Sequence, residues 1–256
     1  MKNPSHIFLA IFVLFLFACK NNETQPSPFA HVKDGKVKDI LEKSIARAGG
    51  WENYQKMDSI IYKKRTVLYD INGEMESDIT QFHAYQLKPY LAMSISWEKE
   101  GDQHEIIYKK NKARKLINKK IAEADEEALK KTCMAAYYVL FMPFKLMDPG
   151  VELSYKGAVS LPHSKNVYAV AANYDTGKNT NHSTNDQWEY YFDKSNYDFT
   201  ANMVDHGDYF ALIYNSEFVE AGGLRFNAYR PSYRVDNERQ HLWQRGEFFY
   251  SDFIVK

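Results

Sequence analysis

The chain has 256 residues, and 33 Lys+Arg against 33 Asp+Glu leave a formal net charge of +0. Apolar residues make up 45% and charged residues 26%, which excludes a disordered chain, a collagen or a disulfide scaffold, and the lack of a basic excess argues against a nucleic-acid binder. Aromatic residues are frequent, with 19 Tyr, 16 Phe and 4 Trp, and such side chains favour the pleated surface of a β-sheet.

Lys2 opens the chain, and Ile7 to Ala18 carries no charge. A bilayer span needs about 20 apolar residues, so this run is too short to cross and reads as the core of a secretory signal. It ends at Leu16-Phe17-Ala18-Cys19, which resembles a bacterial lipobox. That resemblance implies cleavage before Cys19 and acylation of its thiol; the alternative is a plain secretory signal with a chance cysteine. The remaining cysteine, Cys133, then has no intramolecular partner and is expected to be a buried, inert thiol. Residues 20–34 are polar, carry Pro26 and Pro28, and read as a flexible tether. The expected division is a signal peptide over 1–18, a lipidated tether over 19–34 and a single domain over 35–256. No Asp follows Cys19 and Glu23 is the one acid close behind it. The expected location is therefore a periplasm-facing lipid anchor in the outer membrane, with surface display as the alternative face.

The spacing of Ile40, Leu41, Ile45 and Ala48 predicts a helix over Asp39–Ala48, ended by Gly49-Gly50, with a short turn at Trp51–Tyr54. Strand patterns follow at Ser59–Asp70, Glu74–Leu87, Tyr90–Glu98, Gln103–Lys110 and Ala113–Asn118. Asn72-Gly73 signals a hairpin, and Leu91, Met93, Ile95 and Trp97 alternate with smaller or polar neighbours. Ile121 to about Phe144 is the long helix candidate. Its first half is charged, with acids before bases as the helix dipole favours. From Cys133 to Met142 it is apolar on every face, which predicts burial on more than one side. Pro143 kinks or ends it, and Asp148-Pro149-Gly150 closes the segment. Strands resume at Val151–Gly157, Asn166–Asp175, Gln187–Phe192, Asp198–His206, Tyr209–Phe218, Leu224–Tyr229 and Glu247–Val255, with Trp188, Tyr190 and Phe192 on one face. Thr176–Asp186 reads as a polar loop. The pattern predicts a mainly β, α+β domain whose antiparallel sheet closes toward a barrel or sandwich.

The order of a helix, the Gly49-Gly50 turn with Tyr54, a first strand rich in aromatics and bases, and later Gln187–Tyr197 as strand, acidic turn and return strand resembles an uncharacterised family of Bacteroidetes lipoproteins. More remotely the layout is similar to the lipoprotein-carrier fold of the LolA and LolB type. That resemblance implies a strongly curved antiparallel sheet, an unclosed barrel, covered by the long mid-chain helix and the N-terminal helix. It also implies a concave apolar cavity that holds acyl chains. The chain departs from the soluble carrier in having Cys19, and no exposed apolar insertion loop of the anchored receptor is identified.

Sites of chemistry are sparse. His206-Gly207-Asp208 with Asp205, and His182 with Asp186, offer ligand types but no recognised metal spacing; no metal or cofactor is expected. No Gly-x-Ser-x-Gly elbow occurs, and Cys133 sits on an apolar stripe where burial blunts a thiol. Glu189, Glu217 and Glu247 read as outward-facing charges on strands. Arg225, Arg230, Arg234, Arg239 and Arg245, interleaved with Tyr229, Tyr233 and Trp243, suit either an anionic headgroup or glycan or cross-strand pairing with Glu220, Asp236, Glu238 and Glu247. The favoured ligand-binding candidates are Tyr138, Phe141, Met142, Phe144 and Met147. They would act as an adaptable lid over the half-barrel, or plug it as core. Three functions remain open: a non-catalytic carrier or sensor of a lipid-like ligand, a structural lipoprotein with a filled core and an envelope protein partner, and a hydrolase of an envelope polymer.

Overall fold

A computed structural model of the chain describes residues 27–175 and 186–256. The expected signal peptide, Cys19, residues 20–26 of the tether and residues 176–185 of the polar loop, including His182, lie outside the described residues. Asp34 starts the first helix: its carboxylate accepts from the Lys36 and Val37 N–H groups and caps α1 (Gly35–Arg47). This cap starts the helix earlier than the apolar spacing alone indicates. The same carboxylate accepts from the Tyr155 N–H at 3.1 Å and so ties the helix start to the sheet. Gly49 at φ 108° and Gly50 at φ 88° turn the chain into α2 (Trp51–Lys56). A Cβ at Gly49 would run into the Gly223 carbonyl, so both dihedral and contact demand glycine there.

β1 (Ser59–Tyr69), β2 (Met75–Gln86), β3 (Ala92–Lys99), β4 (Asp102–Lys109), β5 (Lys112–Ile117) and β6 (Lys120–Ala122) form an antiparallel meander. The turns at Glu100-Gly101, Lys110-Asn111 and Asn118-Lys119 have left-handed φ at both residues, the turn geometry that matches strand twist. The last of them takes Ile121 into a strand, where its apolar side chain had suggested the start of the long helix. α3 (Glu126–Leu140) begins later, because Asp125 accepts from the Glu127 and Ala128 N–H groups. Phe141 ends α3, and Phe144–Met147 forms one 3-10 turn.

The second half of the sheet comprises β7 (Val151–Leu161), β8 (Ser164–Tyr174), β9 (Gln187–Asp193), β10 (Phe199–Asp205), β11 (Phe210–Tyr214), β12 (Glu217–Ala221), β13 (Leu224–Val235) and β14 (His241–Val255). The order is β6-β5-β4-β3-β2-β1-β14-β13-β11-β10-β9-β8-β7, with β12 also on β13. β6 and β7 end this path without pairing to each other: the sheet is a strongly curved, unclosed barrel. The single strand expected at Tyr209–Phe218 is two. Asn215 donates backbone and side-chain N–H groups to the Thr200 and Phe199 carbonyls, and Ser216 turns to the Tyr229 carbonyl, so the chain changes partner there. β13 runs on through Pro231 and into a bulge after Ser232, past the end that the sequence pattern marks.

Residues of α1, α3 and the 3-10 turn pack with the inner face of the sheet in one large core, which includes Ile40, Tyr62, Tyr85, Cys133, Phe141, Tyr190 and Phe226. A second, smaller cluster lies on the other face of β8–β13, around Tyr191, Ala201, Leu212 and Tyr214. Alternation divides β9 accordingly: Tyr190 and Phe192 join the first cluster and Tyr191 the second.

Candidate functional site

The inner face is lined with rings: Trp188, Tyr190 and Phe192 recur at every second position of β9, and β1, β2, β13 and β14 add Tyr62, Tyr85, Phe226, Tyr250 and Phe253. Ring centroids connect the cover to the sheet in one column. Phe141 lies 6.3 Å from Phe226, Phe226 4.9 Å from Phe253, Phe253 5.6 Å from Tyr62, and Tyr62 6.0 Å from Tyr250. The phenols satisfy one another. Tyr62 and Tyr85 share a hydrogen bond of 2.9 Å, Tyr85 lies 2.9 Å from His83 Nδ1, and Tyr174 and Tyr190 are 2.6 Å apart. Burial pushes the pKa values of Tyr62, Tyr85, Tyr138, Tyr174 and Tyr190 up, so these are neutral groups. Burial, helped by the Lys64 charge, pushes His83 down to about 3, so its imidazole is neutral as well.

All five proposed lid residues come together against this face. Tyr138, Phe141, Met142, Phe144 and Met147 are only 1–9% exposed and belong to the large core. Phe144 stacks on Tyr54 at 4.6 Å, and Phe141 contacts Tyr54 at 5.5 Å and Tyr137 at 5.1 Å. The Tyr138 hydroxyl donates to the Lys145 carbonyl at 2.8 Å, which folds the 3-10 turn back on α3. Lys145 is buried, pairs with Asp148 and lies 4.5 Å over the Tyr137 ring. Tyr54, Tyr62, Phe226, Phe253 and Tyr250 complete the lining. Sequence reasoning placed their strands and turns but not their common face, because Tyr62 and Phe226 are single inward aromatics on β1 and β13 and no local recurrence marks them.

The arginines find partners, though mostly not the acids nearest in sequence. Arg225 and Arg47 share Asp198, Arg239 pairs with Glu189 at 2.7 Å, and Arg245 with Glu76 at 2.6 Å. Arg234 lies 3.5 Å over the Tyr209 ring. Arg230 is buried and donates to Asn215 at 2.7 Å and Asn202 at 2.9 Å. Glu247 faces outward, but it accepts from the Tyr69 and Tyr229 hydroxyls at 2.5 and 2.6 Å. Burial opposes its charge, yet these hydrogen bonds keep its pKa below the usual value. Glu189 accepts from the Tyr191 hydroxyl at 2.6 Å as well as from Arg239, and Glu217 is exposed.

His206 Nδ1 lies 2.8 Å from Asp186. Among the described residues no group of three or more His, Cys, Asp or Glu is placed to hold a metal. Cys133 is buried, and desolvation pushes its thiol up to about 12. An open groove of about 900 Å3 lies outside this face, lined by Phe29, Ile45, Gly49 and Trp51. Among the described residues no helix is long and apolar enough to cross a membrane.

No family model matches the sequence, and no curated protein matches it. Solved structures do match in shape. A LolA superfamily protein from Nitrosomonas europaea superposes with a TM-score of 0.50 at 10% identity, covering 86% of this chain and 93% of that one. A DUF1329 family protein from Desulfovibrio piger gives 0.45 at 10% identity over 85% and 92% of the two chains. A putative outer membrane lipoprotein-sorting protein domain from Vibrio parahaemolyticus gives 0.43 at 10% identity over 85% and 91%. What this chain shares with the Nitrosomonas europaea protein at such identity is the fold, an unclosed, helix-covered antiparallel sheet.

Proposed function

We propose that the chain is an outer-membrane-anchored, periplasm-facing lipoprotein. It holds an apolar or amphipathic, lipid-like ligand on the inner face of its half-barrel, as a non-catalytic carrier or sensor. The anchor is the acylated Cys19. The observation that carries the reading is the continuous ring column of the inner face, with its phenols paired to one another and its cover made of Tyr138, Phe141, Met142, Phe144 and Met147. The ring contacts between cover and sheet are edge-on, Tyr137 on Tyr85, Tyr138 on Tyr174 and Phe141 on Phe226, and Met142 and Met147 belong to the same core; methionine side chains repack at low cost. Outward movement of α3 and the 3-10 turn would expose the column. Binding would be driven by acyl surface leaving water, about 25 cal/mol per Å2.

Native mass spectrometry tests this on the chain from residue 20, exported to a bacterial periplasm and purified without detergent. A reproducible adduct of lipid mass is expected, lost when Phe141→Glu and Phe144→Glu are combined in a protein that keeps its circular dichroism. A bare mass, with no uptake of added fatty acid or phospholipid, would overturn it. The low exposure of the five cover residues favours a second reading, a filled core whose function is to present the outer face to an envelope protein. A bare mass would support that reading. A hydrolase reading finds little support, since Glu189 and Glu247 face outward and each is engaged by tyrosine hydroxyls.

A further inference from the structure

Two cationic side chains come together on the inner face at the end of the column farthest from the cover. There Arg230 of β13 lies opposite Phe248 of β14, and Lys64 of β1 lies opposite Tyr250 of β14. β13 and β1 flank β14 and the two positions are offset by two residues, so the two cationic side chains start about 12 Å apart. The Lys64 ammonium leans over β14, 5.2 Å from the Phe248 ring and 5.9 Å from the Tyr250 ring, and the Arg230 charge acts on the Tyr250 hydroxyl from the other side.

No acid balances this pair. The inward positions beside it are Thr66, Gln81, Asn202, Ile213, Ser232 and Gly246 by strand register. Among the described residues no carboxylate forms an ion pair with Arg230 or Lys64. Arg65, Arg225, Arg239 and Arg245 each have one. Arg230 is the most deeply buried of the described arginines, 5% exposed. Its neighbours Asn202 and Asn215 supply oxygen but no charge. A guanidinium has five N–H donors, and burying one without a counter-charge is costly unless an anion joins it. Tyr250 registers the excess. Burial drives its pKa up, as it does for the other phenols of the column, but Lys64 and Arg230 outweigh burial and bring it below the ordinary value.

We propose that Arg230 and Lys64 form the headgroup subsite of the inner face. It takes the carboxylate or phosphate of an amphipathic molecule whose apolar chain lies along the rings of Tyr62, Phe253 and Phe226 toward the cover. The proposal rests on the ligand-binding reading above and adds the ligand's charge. Arg230 contributes planar, directed donors, and Lys64, half-buried, contributes a mobile charge near solvent.

The test compares a dibrominated stearate with its methyl ester as quenchers of tryptophan fluorescence in the full chain, with inorganic phosphate as competitor. A charge-assisted hydrogen bond should make the stearate bind about 10- to 100-fold more tightly than the ester. Arg230→Gln should remove most of that preference and leave the ester's affinity in place. Lys64→Gln, at a half-exposed position, should remove part of it and serves if Arg230→Gln does not fold. Equal affinity for stearate and ester in the unaltered chain would overturn the headgroup subsite while leaving an apolar-ligand site standing. Quenching by neither would overturn both. Displacement of stearate by phosphate at stearate's own concentration range would show a free-anion site, and would overturn the claim that the ligand is amphipathic.

Discussion

In β10, Ala201, Asn202, Met203 and Val204 are buried in succession, whereas in β2 only His83 and Tyr85 are. The difference follows from what each half of the sheet has behind it. β8, β9, β10, β11 and β13 lie between the inner core and the second cluster around Tyr191, Leu212 and Tyr214, so both faces of these strands lose water. β2–β6 carry core on the inner face alone, and Phe82 of β2 is 52% exposed on the other. α3 packs against β4 and β5, which belong to the thinner half. Segments with less buried apolar surface open at lower free energy. The cover thus bridges the two halves: the body of α3 rests on β4 and β5, while Phe141 and Tyr138 reach Phe226 of β13 and Tyr174 of β8 in the thicker half.

The sharpest way to break that comparison is a pair of truncations. Phe192→Ala, at a fully buried site of β9, should cost about 3–5 kcal/mol in urea unfolding. Leu116→Ala, at a half-buried site of β5, should cost about 1 kcal/mol. Equal losses would mean that the halves are equally consolidated. Gly49→Ala should cost about 1–3 kcal/mol through its left-handed dihedral, with more from the clash with Gly223, because it separates α1 from the β12–β13 turn.

Acid should weaken the fold through His83. Its folded pKa of about 3 lies below the unfolded value of 6.5, so the unfolded chain takes up the proton first. Stability is full above pH 6.5 and falls by up to about 1.4 kcal/mol per pH unit between pH 6.5 and pH 3. His83→Gln should flatten that part of the profile measured by urea midpoints. The smallest effect concerns Cys133. Its raised pKa and burial predict slow alkylation by iodoacetamide, through local opening of α3, and hence a rate that rises only weakly with urea. A steep urea dependence would mean that the thiol is reached only by global unfolding.

Much of the fold was legible in the sequence because strand alternation and turn chemistry are local. Trp188, Tyr190 and Phe192 share a face as their spacing indicated, and Cys133 is buried as the apolar stripe required. Ile121 misled because its side chain fits a helix stripe equally well, while the turn at Asn118-Lys119 carries no glycine to announce it. Pro231 hid the length of β13. The cover residues stood out as a dense apolar run. Lys64 and Arg230 did not, because strands that are neighbours only in the folded sheet bring them to one spot, and each side chain alone reads as ordinary surface charge.

Hydrogen exchange of the full chain, with and without excess stearate, tests the central claim most directly. If the cover opens to admit a ligand to the inner face, exchange should change in residues 126–147 and in β1 and β14, while β8–β10 stay constant. No change in those segments, or a change confined to the outer groove at Phe29 and Trp51, would contradict it.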